Sequence, residues 1–187
     1  MVTRESAYLQ PLRSLIEEQK HRTLAMWAID CAEHTLPIFE NKYPKDNRPR
    51  EALSAAKAWA HGQIKMPVAK KAAHATHNAA TVVAEKDPAA CAAARAVGHA
   101  VGAVHVETHA IGVVMYGITA FVYSSKEEDA DAVIARECKW FYDRLLYWEK
   151  NIDTLDTTWA PFLLRDDVPN KEKLLRQKTE QKLKQSQ

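Results

Sequence analysis

Apolar residues in this chain recur at intervals of three and four, the spacing of a helix face, and rarely at the interval of two that marks a strand. Leu9, Leu12, Leu15 and Ile16 predict a short helix from about Tyr8 to Gln19, with Pro11 near its start. Leu24, Trp27, Ala28, Cys31 and Ile38 make one stripe of a longer segment from His21 to Tyr43. Pro37 must kink or break that segment, because it has no amide hydrogen to give to the helix ladder. A third helix is expected from Pro49, a favourable first-turn residue, through Leu53, Ala56 and Trp59 to Gly62, which reads as a C-terminal cap. Pro67 and Pro88 open two alanine-rich segments. The second runs to about Tyr123 with no Lys, Arg, Asp or Glu besides Arg95 and Glu107, so it predicts a buried central helix with neighbours on most sides, continuous or in two pieces. Within it Ala94, Gly98 and Gly102 recur every four residues and form a smooth ridge on which another helix can lie closely. Val133, Ile134, Cys138, Phe141, Leu145 and Trp148 then mark an amphipathic helix, followed by an irregular stretch that packs Trp159, Phe162 and Leu163 onto the body. The expected fold is all-α: a single helical bundle-like domain of about six helices over residues 1–170, with a basic helical or disordered tail at 171–187.

Composition narrows this further. Five glycines in 187 residues argue against a turn-rich all-β sandwich or barrel, and three cysteines cannot close a disulfide framework. Free thiols fit a reducing compartment, and the polar start of the chain carries no secretory signal, so a cytoplasmic protein is expected. The uncharged run from Thr108 to Ser125 borders the length of a membrane span. His109, Tyr116, Thr119, Tyr123 and two glycines interrupt it, which favours a core helix and no membrane association. Net charge is only +2, and Lys171 to Lys184 holds six basic and two acidic residues, so the body is slightly acidic and nucleic acid is not the expected partner. Self-association is left open.

The chemistry-bearing residues centre on histidine, of which there are eight. His105 and His109 stand four apart, a spacing that puts both imidazoles on one face of a continuous helix within reach of a shared divalent metal ion. A polar line continues from them through Gly112, Tyr116, Thr119 and Tyr123, as a pocket wall or hydrogen-bond network would. His99 projects from the opposite side with Arg95 and can join the pair only if the helix breaks. The glutamate of His105-Val-Glu-Thr-His109 stands two after the first histidine, so this is not the HExxH of zinc proteases. A third ligand could come from His34 or Asp30, or from His74 and His77; equally, the pair could be buried histidines satisfied by carboxylates and backbone, or serve acid–base chemistry. Asp30, Asp46, Arg48 and Arg50 offer an Asp–Arg clamp for the loop after the second helix, or an anion contact. Cys31 has His34 three residues on but no further mark of a nucleophile.

Several short motifs stand together: Trp27-Ala-Ile-Asp30-Cys31-Ala-Glu33, Leu36-Pro37-Ile-Phe39-Glu40, Asp46-Asn-Arg48-Pro49-Arg50, Trp59-Ala-His-Gly62, and Arg95-Ala-Val-Gly98-His-Ala100 followed by His105 and His109. Over residues 24–123 they resemble the immunity-protein family similar to immunity protein type five of bacterial polymorphic-toxin systems. The resemblance implies a small α-helical protein that binds and neutralises a cognate protein toxin, with no catalysis and no cofactor. By the same resemblance Asp30, Cys31, Asp46, Arg48, Trp59, His105 and His109 would build the fold or line a pocket, with Tyr116 added by the polar line. An alternative is a metal-dependent helical-bundle enzyme, because a His-x-x-x-His pair with a third histidine is similar to the site of bacillithiol-transferase-like bundles. The sequence around His109 lacks the second histidine and arginine of that pattern.

Overall fold

In the computed structural model, which describes residues 2–126 and 129–185, every periodic segment is helical and no strand occurs among the described residues. The helices are α1 (Gln10–Glu17), α2 (His21–Thr35), α3 (Pro37–Glu40), α4 (Arg48–Ala60), α5 (Met66–Val83), α6 (Pro88–His105), α7 (Ala110–Ser124), α8 (Ala130–Asn151) and α9 (Lys171–Gln185). Single 3-10 turns at Ala7–Leu9, Glu107–His109, Ile152–Thr154 and Pro161–Leu164 join some of them. No described helix is long and apolar enough to cross a membrane.

Local chemistry accounts for most boundaries. Pro37 ends α2 and occupies the first turn of α3, where its missing N–H costs nothing. Pro49 does the same for α4. That helix closes when Gly62 takes φ +71°, letting Gly62 N–H donate to the Trp59 carbonyl (3.0 Å) and Gln63 N–H to the Ala58 carbonyl (2.8 Å). Pro88 starts α6 behind Asp87, whose carboxylate accepts from Ala90 N–H (3.0 Å) and pairs with Lys42 (2.8 Å).

Among the described residues the helices number eight of two turns or more plus the single turn α3, which corrects the expectation of about six. The central element is a pair, because the chain leaves the helix at Val106 (φ −151°, ψ 135°), turns through Glu107–His109 and returns as α7. Size explains the break. A straight helix from 88 to 123 would be about 54 Å long, whereas a compact 187-residue chain has a radius of gyration of about 16 Å and so a diameter near 40 Å. Folding the apolar run back on itself buries both halves, and a β-branched residue tolerates the extended conformation at the reversal. α6 then packs against α2, α4, α5 and α7.

α8 closes the bundle. Its Phe141 and Leu145 are fully buried, the Trp27 indole N–H donates to the Phe141 carbonyl (2.9 Å), and Asp30 accepts from Arg144 (2.7 Å) and Trp148 (2.6 Å). Arg22 bonds Asp153 (2.8 Å) and Asp166 (2.5 Å), fastening the stretch that follows α8.

α9 is held at its first turn. Fully buried Glu172 pairs with Arg4 and Arg13, and Arg176 reaches Glu17 (2.7 Å). The Asn170 amide donates to the carbonyls of Ile16 (2.9 Å) and Gln19 (3.1 Å), and its oxygen accepts from the N–H of Glu172 (2.9 Å). One side chain thus satisfies groups at the end of α1 and the start of α9.

Candidate functional site

The surface around the α6–α7 reversal gathers five of the eight histidines. Glycine makes this possible. A Cβ at Gly98 would lie 2.4 Å from the His77 ring, one at Gly102 2.7 Å from His109, and one at Gly112 2.3 Å from His99. The ridge expected along α6 therefore exists, but what lies against Gly98 and Gly102 is imidazole from α5 and from the 3-10 turn.

His99 and His109 approach through like atoms, Nδ1 to Nδ1, at 3.3 Å, with ring centroids 5.3 Å apart. His77 meets His99 edge-on at 6.3 Å, and Tyr116 tilts against His99 at 5.1 Å with the Arg95 guanidinium over the tyrosine ring. Burial holds the imidazole of His99 down at about 4, with the neighbouring rings and Arg4 and Arg95 adding to the effect. Burial likewise lowers His77 and His109. All three are therefore neutral near pH 7, with lone pairs available.

A cavity of about 290 Å³ opens beside them, lined by Trp59, Met66, His74, His77, His105 and His109 among others. Across Trp59 and His105 lies a second cleft of about 370 Å³, walled by His21, Glu107, Phe162, Arg165, Val168 and Lys171. Trp59 stacks near His105 (5.9 Å) and against Phe162 (5.6 Å) at the boundary. Glu107 is buried and its Oε2 has no hydrogen-bond partner, while Oε1 lies 3.8 Å from His21 Nδ1. His21 Nε2–H donates to the Ala103 carbonyl (2.9 Å), which leaves its Nδ1 facing the carboxylate. Burial lowers the His21 pKa, outweighing the opposing pull of Glu107.

The expected site residues fall into separate places. His105 ends α6 and His109 immediately precedes α7, so they do not share one helix face as their spacing suggested; the break instead brings His109 to His99. Tyr116 belongs with His99, and Trp59 with the clefts. Asp30 faces α8, whereas Asp46 and Arg48 form a two-bonded pair within their own loop (2.8 and 2.5 Å) and Arg50 bonds Glu40 (2.8 and 2.6 Å). Arg48 holds the Asp46 carboxyl below the usual carboxylate range. The Cys31 thiol is fully buried and pushed well up, and Cys138 is raised to about 11 by burial, so neither is a ready thiolate. His34, offered as a third ligand, stacks on Trp140 (3.8 Å) and bonds Glu137 (3.0 Å) away from the cluster. Among the described residues no three His, Cys, Asp or Glu side chains are already gathered to hold a metal ion. His99, His21 and Glu107 were not singled out by sequence; only the condition that His99 could join if the helix broke pointed their way.

A family model described as "Imm-5 like putative immunity protein" matches residues 14–145. No curated protein and no solved structure matches the chain.

Proposed function

Since the chain belongs to the Imm-5 like immunity protein family, we propose that it binds a cognate bacterial protein toxin and neutralises it without catalysis of its own. The family match carries this reading: it spans the bundle from α1 into α8, including the Trp59, Met66, His105 and Glu107 side of the clefts. The chemistry there supports binding. Met66 and Val168 are exposed above the buried Trp59 and half-buried Phe162, an apolar anchor position of the kind that protein interfaces use. Cys31 and Cys91 are buried and Cys138 is half-buried, and no serine, threonine or cysteine among the described residues lines the cleft of His21 and Glu107. We place the encounter in the cytoplasm, which suits three free thiols. The helical metalloenzyme alternative loses its one-helix pair, since α6 ends at His105.

The test is titration calorimetry of this protein against the toxin-domain protein encoded beside it, with Met66→Glu and Val168→Glu variants checked for unchanged melting temperature. Tight binding by the parent, weakened at least tenfold by either variant, supports both the partner and the cleft. Absence of binding by the parent refutes the partner, and undiminished binding by both variants removes the cleft from the interface.

A further inference from the structure

We propose that His99 and His109 bind one divalent first-row transition ion of the zinc class through their Nδ1 atoms. The geometry has the dimensions of a chelate. Two imidazole nitrogens each about 2.05 Å from a tetrahedral ion stand about 3.3 Å apart, and ring centres about 1.1 Å further out stand about 5.2 Å apart. The observed separations are 3.3 Å and 5.3 Å. As a shared-proton contact the same 3.3 Å is longer than the usual range of about 2.7–3.2 Å.

Both rings are held by rigid elements. His99 is carried on α6 and seated on Gly112 of α7, and His109 precedes α7 and sits on Gly102 of α6, so each helix supplies the floor for the other's ligand. A glycine inside a helix costs about 1 kcal/mol relative to alanine. Three of the chain's five glycines stand within α6 and α7 with an imidazole where their Cβ would be.

His77 is the natural third ligand. Its ring centre lies 6.3 Å from that of His99, about 1 Å beyond the tetrahedral spacing. It borders the 290 Å³ cavity together with His109, and water from that cavity can complete the shell. The donors are neutral nitrogens, which select Zn²⁺, Cu²⁺, Ni²⁺ or Co²⁺ over Mg²⁺ and Ca²⁺. Arg4 and Arg95 bring positive charge toward His99, so affinity will be below that of thiolate cages.

The experiment is equilibrium dialysis of untagged full-length protein against Zn²⁺, alongside His99→Gln, His109→Gln and His105→Gln variants, with helicity checked by circular dichroism. The expected result is about one ion per chain for the parent and His105→Gln, and at least tenfold weaker binding for His99→Gln and His109→Gln. Zn²⁺ should also raise the melting temperature of the parent and not of those two variants. Failure of the parent to bind at 100-fold excess Zn²⁺ overturns the proposal. So does binding that survives in both His99→Gln and His109→Gln, or that is lost in His105→Gln alone. None of these readouts involves a toxin, so the proposal stands or falls apart from the family role.

Discussion

Replacing Gly112 by alanine sets two effects against each other. In a helix that touched nothing, Gly→Ala would stabilise by about 1 kcal/mol. Here the new Cβ would lie 2.3 Å from His99 Nδ1, so the ring must retreat by about 1 Å to reach an ordinary contact. Tyr116 at 5.1 Å and His109 at 5.3 Å between ring centres already crowd that ring. Overpacking of this kind costs about 1–3 kcal/mol, so the net effect is a loss of up to about 2 kcal/mol. For a domain of this size that is a fall of up to roughly 8 °C in melting temperature. Urea unfolding in chelator isolates the packing effect. The decisive comparison is Gly112→Ala in a His99→Ala background, where the ring is gone and the substitution should be neutral or stabilising by up to about 1 kcal/mol. Stabilisation in the parent background, or the same free-energy change in both, would refute the seating of His99 on Gly112.

Other residues make separable predictions. Glu172→Ala leaves Arg4 and Arg13 without their shared acceptor and should loosen α9 by about 2–3 kcal/mol, seen as at least tenfold faster proteolysis within 171–185 with the rest of the chain protected. Asp30→Ala removes the acceptor of both Arg144 and Trp148 and should cost about 2 kcal/mol in urea unfolding; a change under 0.5 would show that α8 is not clasped there. His21 should make the protein acid-sensitive. Unfolded histidine takes a proton near pH 6.5, whereas burial lowers the folded value, so this contribution is present above about pH 6.5 and is lost as pH falls toward the folded value. The unfolding free energy of His21→Gln should therefore fall less than the parent's between pH 7 and pH 5, and parallel curves would contradict the assignment.

Much of the fold was legible because its signals are local. Pro37, Pro49, Gly62 and Pro88 each act on the backbone within a few residues, and each bounds a helix where its chemistry demands. The reversal at Val106 had no such signal, since neither glycine nor proline marks it and the apolar run continues on both sides. It follows from the dimensions of the whole bundle, which no short window contains. That unseen turn decided the site as well. His105 and His109 are four apart only in number, and the helix break that separates them is what joins His109 to His99. Asp30 reads as a clamp for the loop after α2, whereas it clasps α8, because its partners Arg144 and Trp148 lie 114 and 118 residues away. The glycine ridge was legible as space, whereas what fills it comes from α5 and from the turn.

The fastening of α9 has a consequence for the order in which the molecule assembles. α6 and α7 are neighbours in sequence as well as in space, so they can associate as soon as they emerge from a ribosome. The clasp between Arg4 and Glu172 spans 168 residues and must wait until Glu172 has been made. During synthesis Arg4, Arg13 and the exposed end of α1 therefore remain uncovered while the bundle is already packed. Docking of α9 is in this sense a late step, and a nascent chain that has not yet reached Glu172 differs at this corner before it differs anywhere near the histidines.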